Sequence, residues 1–202
     1  MKKNVITIVI VIAAIALFIG APAQAQGNEY DTALANCPRK NLMDINTSGC
    51  LVGVKAPDFT AKTVDGKSIR LSELKGKVVV LNFWFIACAP CHAEAPVLKK
   101  IAAQFGRDDV VFISIARETD DDLKKYLPGN AFFNTNIADK SSGINKGVYH
   151  VFGFPTTLVI DKQGKIKYYT LGGSVSEMVC EKELNAKLVT AISEALSAAA
   201  SK

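Results

Sequence analysis

The stretch "KVVVLNFWFIACAPCH", Lys77 to His92, puts two cysteines three positions apart directly after a continuous apolar and β-branched run. Lys77 to Phe85 fits a central strand covered on both faces. The chain must therefore build a layer on either side of it. Beyond the cysteines, Val97, Leu98, Ile101, Ala102 and Phe105 recur at helical spacing and Gly106 closes the segment, so the order is strand, turn, helix.

Two chemistries compete for this turn. Cys88-Ala89-Pro90-Cys91 has the spacing of a redox dithiol, whereas Cys91-His92 completes the C-x-x-C-H pattern of haem attachment. They exclude one another, because thioether bonds to haem would consume both sulfurs. The haem reading also needs a second axial ligand, for which only His150, Met43 and Met178 remain beyond the N-terminal segment. The cysteines adjoin a buried strand rather than a helical segment, so the dithiol is favoured and no cofactor is expected. His92 then becomes a first-turn helix residue, either supporting a thiolate at Cys88 or exposed without a role.

The ends of the chain set the compartment. Lys2-Lys3, the apolar Val5 to Ile19 broken only by Thr7, and Ala23-Gln24-Ala25 make residues 1–25 a secretory signal with a cleavage site. If it is retained, residues 4–23 approach the ~18–20 needed to span a bilayer. In both cases the remainder is periplasmic or otherwise exported, and it touches a membrane only through that segment. A lipoprotein signal does not fit, because Asn36 precedes Cys37 and Glu29 and Asp31 lie upstream. The formal net charge is +5, but lysines and acids are interspersed and no basic block marks a nucleic-acid binder.

An exported chain can keep disulfides, and this one has five cysteines, an odd number. If Cys88 pairs with Cys91, two of Cys37, Cys50 and Cys180 can form a second, structural bridge. Cys37 and Cys50 flank a turn-rich stretch that suits a local staple. Cys180 could instead tie the last helix to the N-terminal extension, residues 26–53, or be a small buried apolar residue.

Downstream, "VVFISIA", Val110 to Ala116, reads as a second buried strand, and Thr119 caps a short helix running to Leu127. "TTLVI", Thr156 to Ile160, and "KIKYYTL", Lys165 to Leu171, form a hairpin around "DKQGK". Leu184, Leu188, Ile192 and Leu196 mark the core stripe of a last helix, followed by a frayed "SAAASK" tail. A β-α-β unit followed by a hairpin and a helix is an α/β pattern.

"APDF" (Ala56 to Phe59), "DGKSIRLSELKGKVVVLNFW" (Asp65 to Trp84), the C-x-P-C of Cys88 to Cys91, Pro96 and "GFPTTLVIDKQGKI" (Gly153 to Ile166) occur in that order. Together, from Val54 to Leu196, they resemble the TlpA/ResA-like branch of the thioredoxin superfamily. The resemblance implies a thioredoxin-like domain over residues 54–202, with a central mixed sheet flanked by helices. It implies an exported thiol-disulfide oxidoreductase acting as a reductant, without metal at the dithiol. It makes Pro155 a cis-proline opposite the cysteines and Phe154 a backbone partner for an extended substrate. The expected partners are a disulfide-containing exported protein and a membrane thiol electron donor.

Within that frame, a turn after a buried strand puts Cys88 at a helix N-terminus, where free amides and the helix dipole lower a thiol from about 8.5 into roughly 3.5–7.5. Cys88 is thus the nucleophile and Cys91 resolves the mixed disulfide. The chain departs from the pattern at Ala87, where the family commonly has Trp, leaving Phe85 or Ile86 to supply that wall. Asn82 stands where thioredoxins carry a buried proton-relaying Asp, a role Asn cannot fill. Glu94 is the nearest acid and a candidate proton acceptor, although a Glu at such a position is more often solvated. Peroxiredoxins share the "APDF" opening, but Leu81 and Phe85 replace the Pro and Thr expected before a peroxidatic Cys88. A non-enzymatic thioredoxin-fold binding module is the third reading.

Overall fold

The apolar run after Lys77 becomes the middle strand of the sheet. The structure, a computed structural model, describes residues 29–38, 49–105, 109–130 and 133–198. The signal or anchor segment, Met43, Gly106 and the end of the C-terminal tail lie outside the described residues. In chain order the elements are helix α1 (Glu29–Ala35), strands β1 (Thr60–Lys62) and β2 (Ser68–Arg70), a 3₁₀ turn (Leu71–Leu74), β3 (Val78–Trp84) and α2 (Ala89–Phe105). They continue with β4 (Val110–Ala116), α3 (Asp120–Tyr126), β5 (Thr135–Ala138), a π-helical turn (Ile144–Val148), β6 (Thr156–Ile160), β7 (Ile166–Leu171) and α4 (Glu177–Ser197).

The main sheet has the order β5-β4-β3-β6-β7. β3 runs parallel to β4 and β4 to β5, whereas β6 and β7 are antiparallel to their neighbours. This is a mixed sheet of thioredoxin type. The β-α-β unit and the hairpin expected from the sequence are both present; β5 and the small β1-β2 hairpin were not legible there. β1 and β2 are short and largely exposed, with one buried residue between them, Ala61.

All seven residues of β3 are buried. Because side chains alternate across a strand, Val78, Val80 and Trp84 enter the core beneath α2 and α4, while Val79, Leu81 and Phe83 enter the core on the other face. The same alternation assigns Asn82 to the α2 face. The last helix buries Leu184, Leu188 and Ile192 as its stripe, and Leu196 is half-buried. α2 carries Pro96 inside it and still continues to Phe105.

The second core takes side chains from the stretch read as an N-terminal extension. Tyr30 and Leu51 are essentially inaccessible, and the Tyr30 hydroxyl donates to the Tyr149 carbonyl at 2.8 Å. Cys37 and Cys50 form a disulfide and Cys180 is a free, buried thiol, which selects one of the pairings open in the sequence. Cys180 makes no tie to the extension. Because its closed loop is short, with a sequence separation of 13, the Cys37–Cys50 bridge contributes about 3 kcal/mol by restricting the unfolded chain. The double variant Cys37→Ser/Cys50→Ser is expected to lose about that much stability in denaturant unfolding. An unchanged midpoint would show that the extension holds without the bridge.

Candidate active site

β3 ends at Trp84, and after three intervening residues Cys88 sits one position before α2. The Cys88 N–H donates to the Phe85 carbonyl at 3.1 Å and closes the turn. Cys88 and Cys91 are joined as a disulfide with their Cα atoms 5.2 Å apart. The Cys91 amide donates to the Cys88 sulfur at 3.2 Å. Pro90 occupies the first helical turn, where its missing N–H would have had no intrahelical partner. When the disulfide opens, the amide and the helix dipole both favour negative charge on Cys88. Both cysteines are buried, but the small accessible remnant belongs to Cys88, at 3% against 0% for Cys91.

Behind the dithiol, the structure corrects the solvated reading of Glu94. Glu94 is three residues past Cys91, on the same side of α2, and it is 4% exposed. The reason is Asn82, whose side-chain amide donates to Glu94 Oε1 at 2.9 Å and to Thr157 Oγ1 at 3.0 Å. Burial pushes the Glu94 carboxyl from its ordinary 4.5 up to about 7, while the Asn82 hydrogen bond opposes the shift. Among the described residues, Asn82 Oδ1 is buried without a partner. Asn82, which cannot itself relay a proton, thus anchors a buried acid one turn beyond Cys91. The signal was a lone amide in an apolar strand, at a position of even parity with the α2-facing side chains.

The front of the site is built from three loops. The Phe154-Pro155 peptide bond is cis. The Gly172 N–H donates to the Pro155 carbonyl at 2.7 Å, and Gly173 lies so close that a Cβ there would sit 3.0 Å from Pro155 Cγ and 3.7 Å from Pro90 Cβ. The loop after β7 therefore rests on both prolines and brings Pro155 beside the C-x-P-C turn. Among the described residues, no hydrogen bond takes up the backbone N–H or C=O of Phe154.

Ala87 is exposed, and the wall it fails to provide is aromatic. Phe85 meets Phe154 edge to face at 5.3 Å, and the Arg117 guanidinium lies 4.6 Å from the Phe85 ring centroid and 5.7 Å from that of Phe154. Ile86 is held by its backbone: Glu118 Oε1 accepts from its N–H at 3.0 Å, and His92 Nε2 lies 2.6 Å from its carbonyl. His92 Nδ1 lies 3.2 Å from the Tyr126 hydroxyl. With both ring nitrogens engaged, His92 positions the turn rather than serving Cys88. Arg117 and Glu118 were missed in the sequence, although they follow β4 at the carboxyl end of a parallel strand, where α/β sites are built. Among the described residues, no group of three or more His, Cys, Asp or Glu side chains is arranged to hold a metal ion.

A strand-end dithiol beside a cis-proline on a thioredoxin-type sheet defines a thiol-disulfide oxidoreductase. The chain belongs to the AhpC/TSA family, whose model matches residues 52–169. It is 34% identical over 129 residues to the thiol-disulfide oxidoreductase ResA of Bacillus thuringiensis (strain Al Hakam), covering 63% of this chain and 74% of that one. A solution structure from Bacteroides thetaiotaomicron, named as a candidate protein disulfide isomerase, is 29% identical with a TM-score of 0.62, over 73% of this chain and 91% of the other. A crystal structure named as a candidate thiol:disulfide interchange protein DsbE from Chlorobium tepidum is 26% identical with a TM-score of 0.61, over 70% and 97%.

The raised Glu94 carboxyl has a sign that can be measured. Between about 4.5 and about 7 the folded protein binds more protons at this group than the unfolded chain does. Stability therefore falls as pH rises through that interval, by roughly 3 kcal/mol in all. Glu94→Gln keeps an oxygen for Asn82 and removes the titration. Unfolding profiles of the oxidised proteins should coincide near pH ~4 and diverge in favour of the variant up to pH ~8. Parallel profiles would show that Glu94 is not the titrating group.

Proposed function

We propose that this protein is an exported thiol-disulfide oxidoreductase that reduces disulfides in other exported proteins. The observation that carries this reading is the Cys88 sulfur at the amide end of α2, with the Cys91 N–H directed at it. The Cys88 thiolate attacks one sulfur of a substrate disulfide, and the other substrate sulfur leaves as a thiolate. Cys91 then loses its proton, with Glu94 as acceptor, and attacks Cys88. The second substrate thiolate departs, and the Cys88–Cys91 disulfide remains. The substrate gains two electrons and the dithiol loses them. A membrane thiol donor restores the dithiol.

Phe154 and Pro155 shape the groove for an extended substrate segment, the free backbone groups of Phe154 giving it a strand-like partner. Residues 1–25 direct export, or residues 4–23 remain as an anchor. Among the described residues no helix is long and apolar enough to cross a membrane. The reducing direction rests on the likeness to the TlpA/ResA-like branch.

Cys91→Ser should accumulate a mixed disulfide between Cys88 and a disulfide-bonded protein substrate, visible as an intact-mass adduct, and Cys88→Ser should accumulate none. Titration of the Cys88–Cys91 pair against dithiothreitol should give a potential near the thioredoxin value of about −270 mV. A value near about −120 mV would make the protein an oxidant and reverse the proposed direction.

A further inference from the structure

We propose that the cleft where β3 begins is a binding site for a small organic anion with an apolar body, a carboxylate carrying a group about the size of a benzene ring. The cleft is separate from the dithiol groove. Its lining includes Val79 and Ile160, which pair across β3 and β6, and roughly 17 Å of strand carries β3 from Val79 to Trp84 before the turn to Cys88. The exchange chemistry at Cys88 uses none of its residues.

The floor is apolar and the walls are preformed. Ala56, Leu71, Val79 and Ile160 line the cleft and are all buried. The Ala56 N–H donates to the Gly164 carbonyl at 2.9 Å and the Gly76 N–H to the Lys162 carbonyl at 3.0 Å, so both flanking segments are tied to the β6–β7 turn. The Leu71 N–H donates to the Phe59 carbonyl at 3.1 Å, and Asp58 Oδ1 accepts from the Ser72 N–H at 2.8 Å. A site held open in this way takes a ligand without first having to be built. Its volume is ≈ 140 Å³, close to the ~150 Å³ of an apolar cavity that accepts benzene. A small ring or a branched aliphatic group fills it.

The rim sets the sign of the ligand. Lys55, Lys75 and Lys77 stand on it, exposed, and among the described residues none of their ammonium groups has an ion pair or hydrogen bond. The acids that also line the cleft, Asp58 and Asp161, are committed to its walls. Asp58 takes the Arg70 Nε at 3.0 Å as well as the Ser72 N–H, and Asp161 Oδ1 accepts from the Gln163 and Lys165 N–H groups at 3.0 and 2.9 Å. Positive charge is thus left over at the mouth of an apolar cleft, which draws in anions and repels cations. A carboxylate at the mouth with its apolar body on the floor answers both features. A wholly polar anion would leave the floor wet, and a neutral apolar molecule would leave the lysines unpaired.

The test titrates phenylacetate into the isotope-labelled, oxidised protein and follows the backbone amides by NMR. Phenethyl alcohol, phenethylamine and acetate serve as controls that change the charge or remove the ring. Phenylacetate should bind with a Kd of ~1 mM, shifting amides of Ala56, Leu74 to Val79 and Asp161 to Gly164 and leaving those of Cys88 to His92 in place. It should bind about tenfold more tightly than phenethyl alcohol, the factor expected when each exposed ammonium group contributes roughly twofold, and more tightly still than phenethylamine. Acetate, without the ring, should bind at least about tenfold more weakly. In the variant Lys75→Gln/Lys77→Gln the preference over the alcohol should fall to roughly twofold with an unchanged unfolding midpoint. Equal binding of phenylacetate and phenethyl alcohol, a preference undiminished in the variant, or shifts confined to the dithiol turn and the cis-proline loop would overturn the site. So would the absence of any shift at the cleft amides up to ~20 mM phenylacetate. The comparison of ligands in the parent protein decides the matter whether or not the variant folds.

Discussion

Everything at the site depends on β3 being buried on both faces. A strand in that position has no solvent side, so each side chain is committed to one of two cores by its parity alone. Val78, Val80 and Trp84 build the layer on which α2 lies, and Val79, Leu81 and Phe83 build the layer shared with Tyr30, Leu51 and Tyr149. The parallel register with β4, Trp84 opposite Ala116, brings the end of β3 level with Arg117 and Glu118. The turn that carries Cys88 is in this way supported from a neighbouring strand end.

The same parity places one polar group where polarity is costly. Asn82 has no exposure and two hydrogen bonds from its amide nitrogen, one of them to Glu94. An amide in this position cannot ionise, so the strand bears no charge, and the ionisable group is displaced onto α2, one turn beyond Cys91. A buried carboxyl with a single neutral donor is held near neutrality rather than in the acid range, which is the condition for proton exchange with a thiol at ordinary pH. On the proposed mechanism the site separates two roles, with the helix N-terminus stabilising the attacking sulfur and a desolvated acid serving the resolving one.

Much of this was legible in the sequence. The central strand, the strand-turn-helix at the cysteines, the hairpin of β6 and β7 and the stripe of α4 all follow from periodicity and turn residues, because each is a local pattern fixed by burial. What was not legible depends on which elements meet. Composition favours a solvated Glu94, and only the approach of β3 and β6, through Asn82 and Thr157, encloses it. The pairing of Cys37 with Cys50 is not specified locally, because three cysteines permit three bridges. The aromatic wall of Phe85, Phe154 and Arg117 joins three chain segments far apart in sequence, and no local pattern signals that contact.

The N-terminal stretch is tied to the segment that leads to the cis-proline. Tyr149 receives the Tyr30 hydroxyl on its carbonyl and sends its own hydroxyl to the Pro57 carbonyl at 2.9 Å. The next residue, His150, has a φ of 47°, a left-handed conformation that a residue with a Cβ adopts only where its surroundings hold it. Its Nε2 lies 3.0 Å from Asp31 Oδ1 on α1. Four residues on come Phe154 and the cis-proline. The Cys37–Cys50 bridge holds the end of α1 to Leu51, a fully buried residue. It thereby supports the helix against which the segment leading to the cis-proline is pinned, so a disulfide distant in sequence from the dithiol bears on the loop that lies beside it.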